Sequence, residues 1–289
     1  MESGRPELTT LRDALEAGSH RLTEAGATSP RKNAESLLMY SLGRDRAYLY
    51  AHPERTLTGD EEFRFEAAVT RRERGEPLQY VTGHQEFWGL DLLVSPAVLI
   101  PRPETEHVVE AVLERARSIP SPRIVDVGTG SGCIALALAQ ELPHAEIHGV
   151  DISSAALEVA RANAQRLGFA ERVRFQSSDL LGAFSKDTVG FDFVVSNPPY
   201  VSEADRESLQ PEVRDFEPHA ALFAGPMGLD VVRRLIPQAQ RSLKSEGWLV
   251  MEIGKGQDAA VQEYLSSWKN LRFVPDLQGI LRVVVAQRP

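Results

Sequence analysis

The sequence has 289 residues, of which 41 are acidic and 32 basic, so its formal net charge is −9. A dedicated nucleic-acid binder needs a clustered excess of Lys and Arg; residues 1–80, with 12 basic and 14 acidic side chains, have none, and neither does the remainder. With 42% hydrophobic and 25% charged residues, the composition is typical of a folded globular chain of about two domains.

The sequence contains a single cysteine, Cys133, which excludes an intramolecular disulfide and a cysteine-rich zinc site. The seven histidines are scattered without the spacing of metal ligands, so we expect no metal. There is no run of about 18 apolar residues, and the first residues lack the apolar core of a signal peptide. These features predict a cytoplasmic protein with no membrane partner.

The N-terminal part of the chain, residues 1–78, is predicted to be a small helical bundle. Thr10 with Asp13 resembles a capping box ahead of leucines at helical spacing. A second helix is predicted over 30–42, because apolar residues recur on one face and Gly43 lies just past its end. We therefore expect a helical domain at this end of the chain.

Residues 79–100 are predicted to form a connecting β-hairpin. Apolar and polar residues alternate as in strands over 79–81 and 87–94. Gly83 and Gly89 are candidates for turns. This hairpin would link the helical domain to the rest of the chain.

Two prolines flank Arg102 and fix an extended approach to a helix predicted over 104–118. Arg102, Glu104 and Glu106 lie at this stiff turn, between the helical domain and the remainder of the chain. We hypothesise that the segment lines the entrance for a cofactor or target, with structural salt bridges as the alternative.

From residue 123 onward, β-branched runs alternate with amphipathic segments, which implies right-handed βαβ crossovers and a mostly parallel sheet covered on both faces. The expected strands are 123–127, 146–150, 171–176, 191–196, 247–252, 271–275 and 280–286. The last two are too close for an intervening helix, so one should run antiparallel. An α/β domain over 101–289, with a seven-stranded Rossmann-like sheet and an antiparallel last strand, resembles the class I methyltransferase fold more than a dinucleotide-binding dehydrogenase.

A glycine-rich turn follows the first of these strands. Glycines at 128, 130 and 132 permit positive φ and let a ligand approach the backbone. Asp151 ends the next strand and is placed to accept hydrogen bonds from both ribose hydroxyls of a nucleoside. The third glycine comes one residue too early for the pyrophosphate-binding pattern, so a sulfonium nucleoside with an amino-acid tail fits better. A tight turn without ligand is the alternative.

Asp179 and Leu180 follow the third strand, at the same carboxyl edge of the sheet. Asp179 could accept a hydrogen bond from an adenine amino group while Leu180 covers the ring. The alternative is a solvated Asp that caps the next turn.

The fourth strand is followed by Asn197, Pro198, Pro199 and Tyr200. Consecutive prolines remove two backbone donors and hold the turn, so the Asn side chain and nearby carbonyls present acceptors in fixed directions. A planar –NH₂ group that donates one hydrogen bond to the Asn197 side-chain oxygen and another to the Pro198 carbonyl would have its nitrogen oriented toward an electrophilic methyl group. A structural turn is the alternative, but a position at a strand's carboxyl end beside a nucleoside loop favours catalysis.

Several segments together resemble the PrmC/HemK-type protein-(glutamine-N5) methyltransferases. N-P-P-Y and the glycine loop are shared with many methyltransferases, whereas I-P-R-P-E-T-E is more specific to this family. The matching segments are 100–106 (I-P-R-P-E-T-E), 126–132 (D-V-G-T-G-S-G), 149–151 (G-V-D), 197–200 (N-P-P-Y), 217–218 (E-P), 220–225, 251–254 (M-E-I-G) and 276–282. The resemblance covers nearly the whole chain.

This resemblance implies S-adenosylmethionine-dependent methylation of the glutamine in the Gly-Gly-Gln loop of class 1 peptide-chain release factors, which modulates translation termination. It implies that Asn197 and Pro198 hold the glutamine amide, that Pro199 and Tyr200 shape the pocket, and that the helical domain docks a second surface of the release factor. The implied cofactor contacts are Gly128, Thr129, Gly130, Ser131 and Gly132, Asp151 at the ribose, Asp179 and Leu180 at the adenine, and Asn197.

Two other functions fit parts of the sequence. An amino-methyltransferase acting on adenine in DNA or on a ribosomal RNA base would use the same donor geometry, but it must capture a base and track phosphates. The acidic balance of the chain favours a protein substrate instead. A non-catalytic nucleoside-binding regulator would explain the glycine loop but not N-P-P-Y.

Overall fold

The computed structural model describes residues 9–184 and 190–289. The chain divides into two compact units: one consists of Met1–Gly83 and Pro211–Phe216, the other of His84–Gln210 and Glu217–Pro289. Within the described ranges, no helix is long and apolar enough to cross a membrane.

The secondary structure of the described residues follows the chain in this order. The helices are α1 Leu11–Glu24, α2 Pro30–Leu42, α3 Arg46–Ala51, α4 Gly59–Glu73, α5 Leu78–Thr82, α6 Glu106–Ala116, α7 Cys133–Glu141, α8 Ser154–Arg166, α9 Pro211–Phe216, α10 His219–Leu222, α11 Asp230–Ser242 and α12 Asp258–Tyr264. The strands are β1 His84–Phe87, β2 Leu90–Leu93, β3 Arg123–Val127, β4 Glu146–Asp151, β5 Val173–Ser177, β6 Phe191–Ser196, β7 Leu243–Glu252, β8 Lys269–Pro275 and β9 Leu281–Gln287. Two 3₁₀ turns, Pro103–Thr105 and Glu203–Ser208, complete the set.

The first unit is helical, as the sequence predicts. The capping box is present at α1, where Thr10 and Asp13 each accept from the other's backbone N–H. The predicted helix 30–42 coincides with α2, and Gly43 ends it in the left-handed conformation with φ 60°. Leucines and Val69 from α1, α2 and α4 form one buried cluster, so apolar burial between these helices holds the unit together.

The first unit also takes a helix from far along the chain. Arg72 of α4 is only 6% exposed and donates to Glu212 of α9 at 2.7 Å. It donates to Asn33 of α2 at 2.8 Å as well. Because a buried guanidinium needs a charged partner, α9 neutralises a charge inside this unit.

The prediction of a strand over 79–81 is wrong, because this segment lies in helix α5. Pro77 begins the helix, and its carbonyl accepts from the backbone N–H groups of Tyr80 and Val81 at 3.0 and 3.1 Å. Gly83 then ends it with φ 80°. Tyr80 and Val81 are both buried, and a run of so few apolar residues fits a strand and a helical turn equally well.

A hairpin is present in the predicted region as β1 and β2, which pair antiparallel, but the predicted strand over 87–94 is wrong because the turn of the hairpin interrupts it. Its turn consists of Trp88 and Gly89, both with positive φ, 54° and 71°. Two such residues make the tight turn whose twist matches that of the flanking strands.

The second unit is built on a seven-stranded sheet with the strand order β5-β4-β3-β6-β7-β9-β8. Strand β9 runs antiparallel to both of its neighbours, while the β3, β4, β5, β6 and β7 pairs are parallel. The predicted α/β class with an antiparallel last strand is therefore confirmed. Observed strand limits differ from the predicted ones by up to four residues, at the start of β7.

Both faces of the sheet are covered. Ile124 of β3 belongs to a buried cluster with residues of α6 and α7, whereas its neighbour Val125 belongs to a second cluster with residues of α11 and α12. Successive strand residues point to opposite faces, so this alternation shows that helices pack on each side. Because helices cover both faces, a ligand can reach the backbone of such a sheet only where the strands end.

Candidate active site

The carboxyl ends of the central strands meet along one edge of the sheet. Val127 of β3 pairs with Val150 of β4 on one side and with Ser196 of β6 on the other, and Ser196 pairs with Met251 of β7. The residues that follow this row are Gly128, Asp151, Asn197 and Glu252. Strand order reverses between β3 and β6, and open α/β sheets bind ligands at such a switch point.

The three glycines of the loop between β3 and α7 differ in what requires them. Gly128, Gly130 and Gly132 have φ of 72°, 56° and 84°. A Cβ would meet nothing close on Gly128 and only a backbone oxygen 4.0 Å away on Gly130. On Gly132 it would lie 3.2 Å from the ring of Phe175. The first two glycines therefore border open space that a ligand can occupy, while the third is required by packing.

The hydroxyl-bearing residues of this loop face inward. Thr129 and Ser131 are 3% and 2% exposed. The Thr129 hydroxyl donates to Asp126 at 2.6 Å; burial raises the pKa of Asp126 to about 7, and this hydrogen bond opposes the rise. Thr129 therefore holds the loop through Asp126, and the open side of the loop lies at Gly128 and Gly130.

Asp151 lies beside the loop, as the sequence predicts, and also holds it in place. One carboxylate oxygen accepts from the backbone N–H of Gly130, and the other from that of Ser153, both at 2.9 Å. Each carboxylate oxygen can accept a second hydrogen bond. Asp151 can therefore hold the loop and still accept from ribose hydroxyls.

A carboxamide on α8 adds further support to the loop from behind. The Asn163 side chain donates to the carbonyls of Ser131 and Leu93, both at 3.0 Å, and accepts from the Leu93 N–H at 2.7 Å. Because Asn163 is fully buried, it fixes the glycine loop relative to strand β2. Nothing in the sequence alone marks this residue.

Asp179 and Leu180 follow β5 at the same edge, but their side chains have other contacts here. Asp179 forms an ion pair with Arg234, and both side chains are 54% exposed. Leu180 has φ 51° and packs against the buried cluster on the α11 side. Their role at an adenine ring stays a prediction.

Asn197 is held at its amide nitrogen. Its Nδ2 donates to the Thr105 hydroxyl at 3.0 Å, whereas within the described ranges Oδ1 accepts no hydrogen bond. Past the two prolines, the Tyr200 carbonyl accepts from the side chain of Gln257 at 2.9 Å. A Cβ on Gly228 would lie 2.2 Å from this carbonyl, so the turn is packed tightly from below.

Glu252, to which no sequence motif assigns a role, connects these groups. Its Oε2 accepts from the Thr105 hydroxyl at 2.6 Å and its Oε1 from the Tyr200 hydroxyl at 3.2 Å. Complete burial raises the pKa of Glu252 to about 7, although both hydrogen bonds lower it. Burial and the Glu252 carboxylate raise the pKa of Tyr200. A carboxylate that directly ends the apolar strand β7 is the signal that could have found this residue.

The charged residues at the stiff turn make structural contacts. Arg102 pairs with the buried carboxylate of Glu217 and donates to the Ile100 carbonyl at 2.8 Å. Glu106 accepts from the backbone N–H of Trp88 at 2.9 Å. Arg102 thus forms the structural salt bridge that was the alternative to an entrance role, whereas Glu106 holds a backbone N–H instead of a charged partner. Among residues 9–184 and 190–289, no group of three or more His, Cys, Asp or Glu could hold a metal ion.

Comparisons with known proteins identify the family of the chain. Residues 13–83 match the PrmC N-terminal domain and residues 120–273 a methyltransferase domain. The release factor glutamine methyltransferase of Koribacter versatilis is 52% identical over 280 residues, which cover 97% of this chain and 99% of that protein. That of Geobacter sulfurreducens is 44% identical, covering 97% of each.

Among solved structures, the hMettl16 catalytic domain in complex with a 3′UTR hairpin shares the fold. It is 17% identical with a TM-score of 0.57, covering 84% of this chain and 92% of that chain. The fold, the geometry of the site and the similarity to these relatives over nearly the full length of the chain lead to one assignment. The chain belongs to the release factor glutamine methyltransferase family.

Proposed function

We propose that this protein transfers a methyl group from S-adenosylmethionine to the side-chain amide nitrogen, N5, of the glutamine in the Gly-Gly-Gln motif of class 1 peptide-chain release factors. Relatives that match 97% of the chain are named release factor glutamine methyltransferases, which supports the reaction and the kind of substrate. The observation that carries the proposal for this chain is the Asn197 carboxamide, whose nitrogen is bonded to Thr105 and whose oxygen is left as an acceptor.

The residues at the β3 and β4 ends suit S-adenosylmethionine. Gly128 and Gly130 leave space against the backbone, and Thr129 and Ser131 alternate with the three glycines of this loop. Asp151 offers acceptors for two ribose hydroxyls. Asp179, Leu180 and Asn197 would complete the cofactor contacts. When bound, S-adenosylmethionine supplies an electrophilic methyl group on a positively charged sulfur.

At the chemistry end, Asn197 and Pro198 orient the glutamine. One N–H of the target amide donates to Asn197 Oδ1 and the other to the Pro198 carbonyl, while Pro199 and Tyr200 form the wall. Both acceptors stabilise the positive charge that the nitrogen gains as its bond to the methyl carbon forms and the carbon–sulfur bond breaks. The nitrogen then loses a proton to solvent, so no side chain has to act as a base.

A protein substrate is consistent with the charge of the chain, −9 overall, because a nucleic-acid substrate requires phosphate neutralisation. We propose that residues 1–78 form a domain that docks a second surface of the release factor. Residues 79–100 link this domain to the methyltransferase domain, residues 101–289. A substrate that acts at the ribosome places the reaction in the cytoplasm.

Methyl transfer from labelled S-adenosylmethionine to a purified release factor tests the proposal. We expect label in the release factor, and none when its Gly-Gly-Gln glutamine is replaced by alanine. Labelling of DNA or ribosomal RNA in place of the release factor would establish a base-amine methyltransferase. Binding of S-adenosylmethionine without turnover on any of these substrates would establish a nucleoside-binding regulator.

A further inference from the structure

We propose that Glu252 is a positioning residue that, through Thr105, fixes which end of the Asn197 carboxamide faces the substrate. The inference deepens the proposed function and rests on it. It is carried by a chain of three side chains from separate parts of the second unit: Asn197 at the end of β6, Thr105 before α6, and Glu252 at the end of β7.

The direction of the hydrogen bonds follows from what each group can do. An ionised carboxylate only accepts, so the single hydroxyl hydrogen of Thr105 is used on Glu252. The Thr105 oxygen can then only accept, and the partner it accepts from must be the –NH₂ of Asn197. The carboxamide oxygen of Asn197 is therefore the end left for the target.

The surroundings hold this chain in one arrangement. Thr105 and Glu252 are each 1% exposed, so water does not compete for their hydrogen bonds. The second carboxylate oxygen of Glu252 accepts from the Tyr200 hydroxyl. Burial raises the pKa of Glu252 to about 7, and the two hydroxyls and the positive charge of Arg282 oppose this rise. Buried polar groups with partners in fixed directions resist rearrangement, because breaking one bond leaves an unpaired group.

If the hydrogen bonds among Glu252, Thr105 and Asn197 ran in the opposite direction, the –NH₂ of Asn197 would face the –NH₂ of the substrate. Without the Glu252 acceptor, the Thr105 hydroxyl is free to donate to Asn197 Oδ1, and the carboxamide turns its –NH₂ outward. The amide of the substrate also presents –NH₂, so the two groups would repel and the nitrogen would lose its orientation. The two ends of a carboxamide have nearly the same shape, so packing alone does not select one.

Kinetics on the full chain with a release factor substrate test the proposal. Thr105→Val, which keeps the shape and removes the hydroxyl, should slow single-turnover methyl transfer by about tenfold or more, and so should Glu252→Met. Thr105→Ser is the matched control that keeps the hydroxyl and should stay within about threefold of the wild-type rate. The Kd for S-adenosylmethionine should stay unchanged in all three.

Epistasis separates positioning from general damage to the fold. In an Asn197→Ala background, Thr105→Val should change the residual rate by less than about twofold, because the group it positions is gone. An equal loss in both backgrounds would overturn the proposal, as would a Thr105→Val enzyme with the wild-type rate.

A second measurement does not depend on turnover. The side-chain –NH₂ protons of Asn197, assigned by NMR through their absence in Asn197→Ala, should show one proton protected from exchange in the wild type and in Thr105→Ser. This protection should be lost in Thr105→Val and in Glu252→Met; unchanged protection in both would overturn the proposal. If the wild type shows this protection but does not methylate a release factor, the proposed function fails and the positioning chain stands.

Discussion

The two halves of the site at the sheet edge are constructed in different ways. The glycine loop is held mainly by the next strand along the chain: Gly128 and Thr129 donate to the Val150 carbonyl, and Gly130 donates to Asp151. Asn197 depends on side chains that are 92 residues away at Thr105 and, through Thr105, on Glu252. The first half depends on the β3–β4 pair, whereas the second brings together the ends of β6 and β7 and the turn before α6.

This difference predicts separate losses of binding and of chemistry. Asn197→Ala should reduce methyl transfer by on the order of 10² or more, because it removes an oriented acceptor that acts as charge develops. The Kd for S-adenosylmethionine should change much less than the rate, since the glycine loop and Asp151 are untouched and only the one contact proposed for Asn197 is lost. Calorimetry and single-turnover rates measure the two quantities, and a near-normal rate would refute the role of Asn197.

The matching substitution in the half of the site formed by the glycine loop is Asp151→Ala. It removes the acceptors proposed for the ribose and the hydrogen bond that holds Gly130, so the Kd for S-adenosylmethionine should rise by about tenfold or more. At saturating S-adenosylmethionine the rate should recover most of its wild-type value. A rate that stays low at saturation would show that the two halves are not separable.

A pH profile distinguishes the halves because Glu252 must be ionised to accept from Thr105. Burial raises its pKa to about 7 and the charge of Glu104 adds to the rise, whereas the hydroxyls of Thr105 and Tyr200 and the charge of Arg282 lower it. The rate should therefore fall by several-fold as the pH decreases from about 8 to about 6. This acid limb should flatten in Thr105→Val, where the carboxylate no longer acts on Asn197.

Conformational stability should respond to pH in the opposite direction. A carboxyl whose pKa is raised on folding, from 4.5 to about 7 for Glu252, stabilises the fold below pH 4.5 and loses that contribution as the pH rises through 7. Asp126, with its pKa also raised to about 7, adds the same trend. Denaturant titrations at about pH 5 and pH 8 measure it; a rate that follows stability would contradict the positioning role.

The smallest expected effect concerns Asp179 and its proposed contact with the adenine ring of S-adenosylmethionine. Asp179→Ala should weaken S-adenosylmethionine binding by about threefold to tenfold if Asp179 accepts from the adenine amino group. Arg234→Ala is the matched control, because it removes only the exposed ion pair, which contributes little. Equal affinities in both variants would leave Asp179 as a surface residue.

The predictable parts of the fold depend on local sequence. The capping box at Thr10 and the βαβ alternation follow from residue spacing, and so does the glycine loop with Asp151. Helix α5 resembles a strand in the sequence because Tyr80 and Val81 give no usable period. Asn197 is evident from its prolines, but its link to Glu252 is not, because hydrogen bonds between distant segments leave no periodic pattern.

Helix α9 has a consequence for how the protein is made. It supplies Glu212 to the buried Arg72 of the helical unit, and removing one partner of a buried pair costs about 3–5 kcal/mol. A fragment that ends after residue 83 therefore lacks one of the helices that stabilise it. During synthesis from the N-terminus, the helical unit stays incomplete until residue 216 has left the ribosome, and by then strands β3 to β6 have already been synthesised.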